Sequence, residues 1–175
     1  MAMDFDPMGW NRRPTYLSVT GVITQMQMMA NGSGYGGCTQ MITVEDEEGG
    51  ITNFLVNGNT YVVNFETLYE SMPVTVFYSS SQAAPMIYPP QFVAAVIAPQ
   101  MEGQMVTVAY FNNVLTASDQ SLKLNLSPAT EVVTRNNQTF YGNPGGNTLV
   151  VLYSMTTRSI PPQTTPEKVI VLCGT

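Results

Sequence analysis

One pattern occurs twice in this chain. Residues 74–78 form a β-branched and aromatic run, a loop climbs through Pro89-Pro90-Gln91, and residues 92–98 form a second apolar run. The same order returns at residues 149–154, Pro161-Pro162-Gln163 and residues 169–172, with Tyr153-Ser154 standing where Tyr78-Ser79 stood. A recurring strand, turn and strand is the signature of a duplicated unit. The expectation is an all-β chain: two tandem OB-like small β-barrels, residues 15–99 and 104–175. A short linker, Pro99-Gln100-Met101-Glu102-Gly103, joins them, and an extended N-terminal arm, residues 1–14, precedes them.

The first unit reads as five strands. Along residues 16–29, Leu17, Val19 and Ile23 alternate with Ser18, Thr20 and Thr24, as in a half-buried strand. Gly21 within that run predicts a bulge or bend, a device for closing a small barrel. Residues 39–44 and 51–56 predict a hairpin across Glu45-Asp46-Glu47-Glu48-Gly49-Gly50. A short strand at 60–63, a helical turn at 65–69, and strands at 74–78 and 92–97 complete the order of an OB-type barrel. In the second unit Val106, Val108 and Tyr110 alternate, and residues 114–116 and 122–126 predict the second hairpin. Ser127-Pro128-Ala129-Thr130 then matches Asn57-Gly58-Asn59-Thr60.

Composition narrows the function classes. Charged residues make up 10% of the chain, against roughly 25% in an ordinary domain. Hydrophobic content is 44%, so the chain is not the polar, highly charged kind that stays unfolded. A surface made of Ser, Thr, Asn and Gln repels its own copies weakly, and self-association is expected. The net charge is −6 with six Lys plus Arg. Phosphate backbones and anionic lipid surfaces are both recognised through clustered cations, so neither nucleic acid nor membrane is an expected partner. No apolar run approaches the roughly 18 residues of a spanning helix. The first ten residues carry acids where a secretion signal carries bases, so no leader peptide is expected.

Chemistry is thinly represented. Histidine is absent, which removes the commonest general base and metal ligand. Gly32-Ser33-Gly34-Tyr35-Gly36 resembles a nucleophile elbow in letters only, since no strand-to-helix setting surrounds it. The Gly-rich loop 31–37 lacks the Lys-Ser/Thr of a phosphate cradle. Glu45, Asp46, Glu47 and Glu48 are the one calcium candidate, with a solvated acidic turn as the plainer reading. Tyr61, Phe77, Tyr78, Tyr88, Phe92, Tyr110, Phe111 and Tyr153 are stacking candidates by type. Sugars suit them better than bases, given the missing basic groove, and core packing is the alternative. Neither an enzyme nor a cofactor is expected.

The two cysteines, Cys38 and Cys173, border the Gly-rich loop and the C-terminus. Either two buried thiols or a disulfide, within the chain or between copies, fits those positions. In the arm, Phe5, Met8 and Trp10 are apolar anchors among Asp4, Asp6, Arg12 and Arg13. The arm is expected to dock on its own body or on a neighbouring copy.

Residues 74–80, with Pro85-Met86-Ile87-Tyr88-Pro89-Pro90-Gln91 and Ala94-Ala95-Val96-Ile97-Ala98, resemble a family of small β-rich proteins from anaerobic spore-forming bacteria. They also resemble subunits of spore-surface appendages. That resemblance implies a chain that polymerises with itself into an extracellular fibre or tube and needs no leader, because the mother cell makes it and then lyses. The runner-up is a tandem OB-type module binding sugars or another protein, and the third reading is a phage or virion structural protein.

Overall fold

The computed structural model describes residues 13–29, 37–83 and 86–174. The arm residues Phe5, Met8, Trp10 and Arg12 lie outside the described residues, as does most of the Gly-rich loop. Among the described residues the regular structure is all β, apart from one 3-10 turn at Val63–Phe65.

The first half holds β1 (Tyr16–Met28), β2 (Gln40–Glu45), β3 (Ile51–Val56), β4 (Tyr61–Val62), β5 (Pro73–Ser79), β6 (Gln91–Val93) and β7 (Val96–Pro99). These form one mixed sheet ordered β4-β7-β5-β1-β2-β3-β6. The second half holds β8 (Met105–Phe111), β9 (Lys123–Leu124), β10 (Glu131–Thr134), β11 (Asn147–Tyr153), β12 (Gln163–Thr164) and β13 (Lys168–Leu172). Here β10-β13-β11-β8 form one sheet and β12-β9 a second.

Strand pairing follows the same scheme in both halves. β1 runs antiparallel to β5, and β8 to β11. β5 runs antiparallel to β7, and β11 to β13. The less common parallel pairs also recur: β4 with β7 and β10 with β13, β3 with β6 and β9 with β12. Registers agree at residue level. Asn53 faces Gln91 as Lys123 faces Gln163, and Tyr61 faces Val96 as Glu131 faces Lys168. The peptide bonds Tyr88–Pro89 and Ile160–Pro161 are both cis.

Among the described residues no closed barrel forms, which corrects the expectation of two barrels. Residues 92–97, expected as one strand, change partners instead. The Ala94 N–H donates to Leu55 and the Ala95 N–H to Phe77, so the chain leaves β3 and joins β5 through a two-residue step. That step separates β6 from β7 and leaves β4 and β6 as sheet edges. In the second half the equivalent of β2 is reduced to the isolated bridges Phe111–Ala117 and Thr116–Lys123. The Asn112 side chain accepts hydrogen bonds from the Val114 and Thr116 N–H groups, at 3.0 Å each. Those donors are therefore lost to a ladder, and the expected strand 114–116 is absent.

β1 departs from its expected pattern in two ways. Its register slips between Ile23 and Gln25, so the bulge follows Gly21 rather than containing it. Since side chains alternate along a strand, the inserted residue brings Met26, instead of Gln25, against the core that holds Val19 and Ile23. Gly21 answers a different need: a Cβ there would stand 2.2 Å from the Glu45 carbonyl oxygen of β2. Leu17, expected inside, is exposed.

Three apolar clusters lie in sequence. The first fills the N-terminal half, with Ile23, Ile42, Val44, Phe54, Val74 and Val76 fully buried. The third fills the C-terminal half, around Phe111, Leu149, Val151, Val169 and Val171. Between them, Phe77, Val96 and Ala98 from the first half meet Val108, Val150, Leu152, Ile170 and Leu172 from the second. β11 and β13 are covered on both faces, which explains why residues 149–152 and 169–172 are unbroken apolar runs. Full burial of one such side chain is worth about 1.5–3 kcal/mol. With eleven buried residues, the middle cluster matches the first in size, so the two halves are fused into one body.

Candidate assembly surface and binding cleft

The root of the arm is held beside a strand edge of the second half that has no further strand partner among the described residues. The Thr15 carbonyl accepts a hydrogen bond from the Ser80 N–H at 2.9 Å, and the Thr15 and Ser80 hydroxyls are bonded. Two residues earlier, the Arg13 guanidinium lies 4.2 Å from the centroid of the Tyr110 ring on β8. A cation over a tyrosine face is worth about 0.5–1 kcal/mol at an exposed site. Among the described residues β8 is the last strand of its sheet. Its seven residues, Met-Val-Thr-Val-Ala-Tyr-Phe, contain no charge and no proline, so it lacks the usual devices that blunt an edge. The Tyr110 and Phe111 carbonyls are taken by Ser118 and Gly146.

The two matched loops add exposed apolar groups. Met86, Ile87 and Tyr88 project from one, Met155 and Ile160 from the other.

Other predicted site residues are placed as follows. The Asp46 carboxylate accepts hydrogen bonds from the Glu48 and Gly50 N–H groups, at 2.9 and 2.8 Å; its work is to shape the hairpin turn. Among the described residues no group of three or more His, Cys, Asp or Glu converges to hold a metal, and Glu45, Glu47 and Glu48 form no such cage with Asp46. Cys38 and Cys173 are both exposed and unbridged within the chain.

Most of the stacking candidates serve the interior. Phe77 and Phe111 are buried. Tyr78 and Phe92 stack on each other with ring centres 4.2 Å apart, and Phe54 tilts against both. The Tyr153 hydroxyl is bonded to Thr107 at 3.0 Å. Tyr16 enters the middle cluster, where burial raises its phenol pKa and the Thr148 hydroxyl opposes that shift. The Thr148 hydroxyl is wholly buried beside it without a hydrogen bond of full geometry.

A different aromatic residue, Phe65, is presented to solvent, and residue type alone did not single it out. It closes the 3-10 turn at φ +52°, directly after Asn64 at φ +61°. Asn tolerates that region; a bulky side chain rarely occupies it. The Phe65 ring is 61% exposed and stands edge-on to Tyr61, with centroids 5.9 Å apart and planes at 74°. Tyr61 is buried below it, which raises its phenol pKa, while the Arg135 guanidinium pulls it down. Together with Thr60, Glu66, Arg135 and Asn136 these rings line a cleft of about 430 Å³ where the two halves meet.

No family model matches the chain, nor does any curated protein or solved structure. Among the described residues no helix is long and apolar enough to cross a membrane.

Proposed function

We propose that this chain is a structural subunit that polymerises with its own copies into an extracellular or spore-surface filament or tube. In this reading the two halves are duplicates of one OB-like module, and each subunit contributes an arm and open β edges. The observation that carries it is the Arg13 contact with Tyr110, beside the charge-free edge of β8, at the root of an arm whose apolar anchors are Phe5, Met8 and Trp10. An open edge is a template for an added strand. A head-to-tail contact that does not close on itself propagates as a helix.

Magnitudes indicate what such a joint requires. Backbone hydrogen bonds contribute about 0.5–1.5 kcal/mol each, and association costs about 4–15 kcal/mol. Edge pairing alone barely offsets that cost. Buried anchors at about 1.5–3 kcal/mol each tip the balance, which is the role assigned to Phe5, Met8 and Trp10. Surface charge is too sparse to keep copies apart: among the described residues the one ion pair is Lys168 with Glu131, at 3.9 Å.

Met105→Lys tests the joint. The side chain is partly exposed at the start of β8, so a charge there blocks edge pairing while costing within about 0.5 kcal/mol of stability. Negative-stain images of the concentrated variant are expected to show dispersed particles where the parent gives filaments. Filaments of unchanged number and length would remove β8 from the joint.

A further inference from the structure

We propose that the Phe65 cleft is a carbohydrate site that takes a neutral pyranose unit of a glycan, a function separate from polymerisation. Four features point to that chemistry. An aromatic ring left open to water yet fixed by its backbone and by Tyr61 forms a platform of the kind on which flat, partly apolar rings stack. The cleft, about 430 Å³, falls within the size range of small-molecule sites and lies at a junction between halves, where such sites concentrate.

Its polar groups suit hydroxyls. Arg135 donates one hydrogen bond to the Asn59 carbonyl, which fixes the guanidinium, and among the described residues it forms no ion pair, so its other N–H donors face the cleft unclaimed by a carboxylate. The Asn136 side-chain oxygen is occupied by the Thr134 hydroxyl at 2.5 Å, so its NH₂ remains as a donor. Glu66, which pairs with no cation among the described residues, supplies a carboxylate acceptor in the same wall. Donors and an acceptor side by side match a sugar hydroxyl, which both gives and takes hydrogen bonds.

Charge selects among ligands. One guanidinium and one carboxylate line the cleft, so it carries no net charge to draw a phosphate or an acidic sugar. Nucleotides stack on aromatics too, but their affinity leans on cations. The two halves contribute equivalent positions here: Phe65 stands five residues beyond Thr60 as Arg135 stands five beyond Thr130. One copy of the turn thus supplies the platform and the other supplies the donor.

The test is calorimetric titration of the full chain with five neutral probes: cellohexaose, xylohexaose, mannohexaose, maltohexaose and N-acetylchitohexaose. At least one is expected to bind at millimolar concentration or below. Phe65→Gly removes the ring and suits the positive φ, so it is expected to unfold no earlier than the parent and to bind at least about tenfold more weakly. Asn136→Ala is expected to weaken binding as well, and Phe65→Tyr to retain it. Filament formation, imaged in the same samples, is expected to be unchanged in all three variants. Silence from all five probes, binding that survives Phe65→Gly, or heat only with a proline-rich peptide would overturn the assignment.

Discussion

Thr60 and Thr130 do the same work in the two halves of the molecule. The Thr60 hydroxyl donates to the Ala94 carbonyl at 2.8 Å and accepts from the Asn57 N–H at 3.2 Å. The Thr130 hydroxyl donates to the Pro166 carbonyl at 2.8 Å and accepts from the Ser127 N–H at 3.1 Å. Each ties the turn before a parallel edge strand to the chain that enters its partner, β7 or β13. Replacing either by Val keeps the shape and strands a carbonyl and an N–H. The expected loss is about 1–3 kcal/mol, similar for the two variants and additive in the double variant. Urea unfolding midpoints check it; a large loss at one site and none at the other would mean that the two turns are not equivalent.

Gly21 is required by the close approach of β2. Gly21→Ala drives a methyl into the Glu45 carbonyl, and the backbone of two paired strands must move to admit it. A loss of about 1–3 kcal/mol is expected, read as a lower thermal midpoint. Gly58→Ala is the control, since nothing lies within 4 Å of its added Cβ. Equal midpoints for the two variants would contradict the packing described for β1.

One buried phenol, Tyr61, and one half-buried phenol, Tyr16, are expected to contribute to the loss of stability at alkaline pH. Burial raises the pKa of Tyr16 and of Tyr61 above the ordinary tyrosine value. As pH climbs, the unfolded chain therefore loses those protons first, and stability falls once the ordinary value of about 10 is passed. Below it the contribution of both groups is complete. Chemical denaturation from pH 8 to 11.5 is expected to show a flat region followed by a decline. Tyr16→Phe and Tyr61→Phe should each make the decline shallower; an unchanged decline in both would place its origin elsewhere.

Cys38 and Cys173 face solvent. Both are expected to react with a thiol reagent in the folded, dispersed protein. In the proposed polymer they are the groups available for bonds between copies. Non-reducing gels of oxidised filaments are expected to show a ladder that vanishes on reduction and in Cys173→Ser. Monomer bands throughout would confine the cysteines to a role within one subunit.

The pairing scheme that the two halves share was legible because equivalent positions in it are held by residues that recur in the sequence. Thr60 and Thr130 anchor the turns, and Gln91 and Gln163 mark equivalent registers. The apolar runs at residues 149–154 and 169–172 predict strands, and β11 and β13 lie there; that both faces are covered came from the structure. Other features leave little trace in the letters. Ala94-Ala95 gives no break signal, yet the chain changes partners there because its two N–H groups find carbonyls on different strands. Phe65 sat in an expected helical turn at 65–69, whereas the turn falls at Val63–Phe65 and its left-handed backbone is one that aromatic residues seldom signal. The strand expected at 114–116 was lost to a single side-chain acceptor, Asn112.

Polymerisation through the arm is the claim on which the functional account rests, and sedimentation velocity of the full chain beside a variant lacking residues 2–12 tests it most directly. The account predicts large, concentration-dependent species for the full chain and a single species of monomer mass, with unchanged unfolding midpoint, for the shortened one. Monomers at every concentration for the full chain, or equally large species for both, would contradict it.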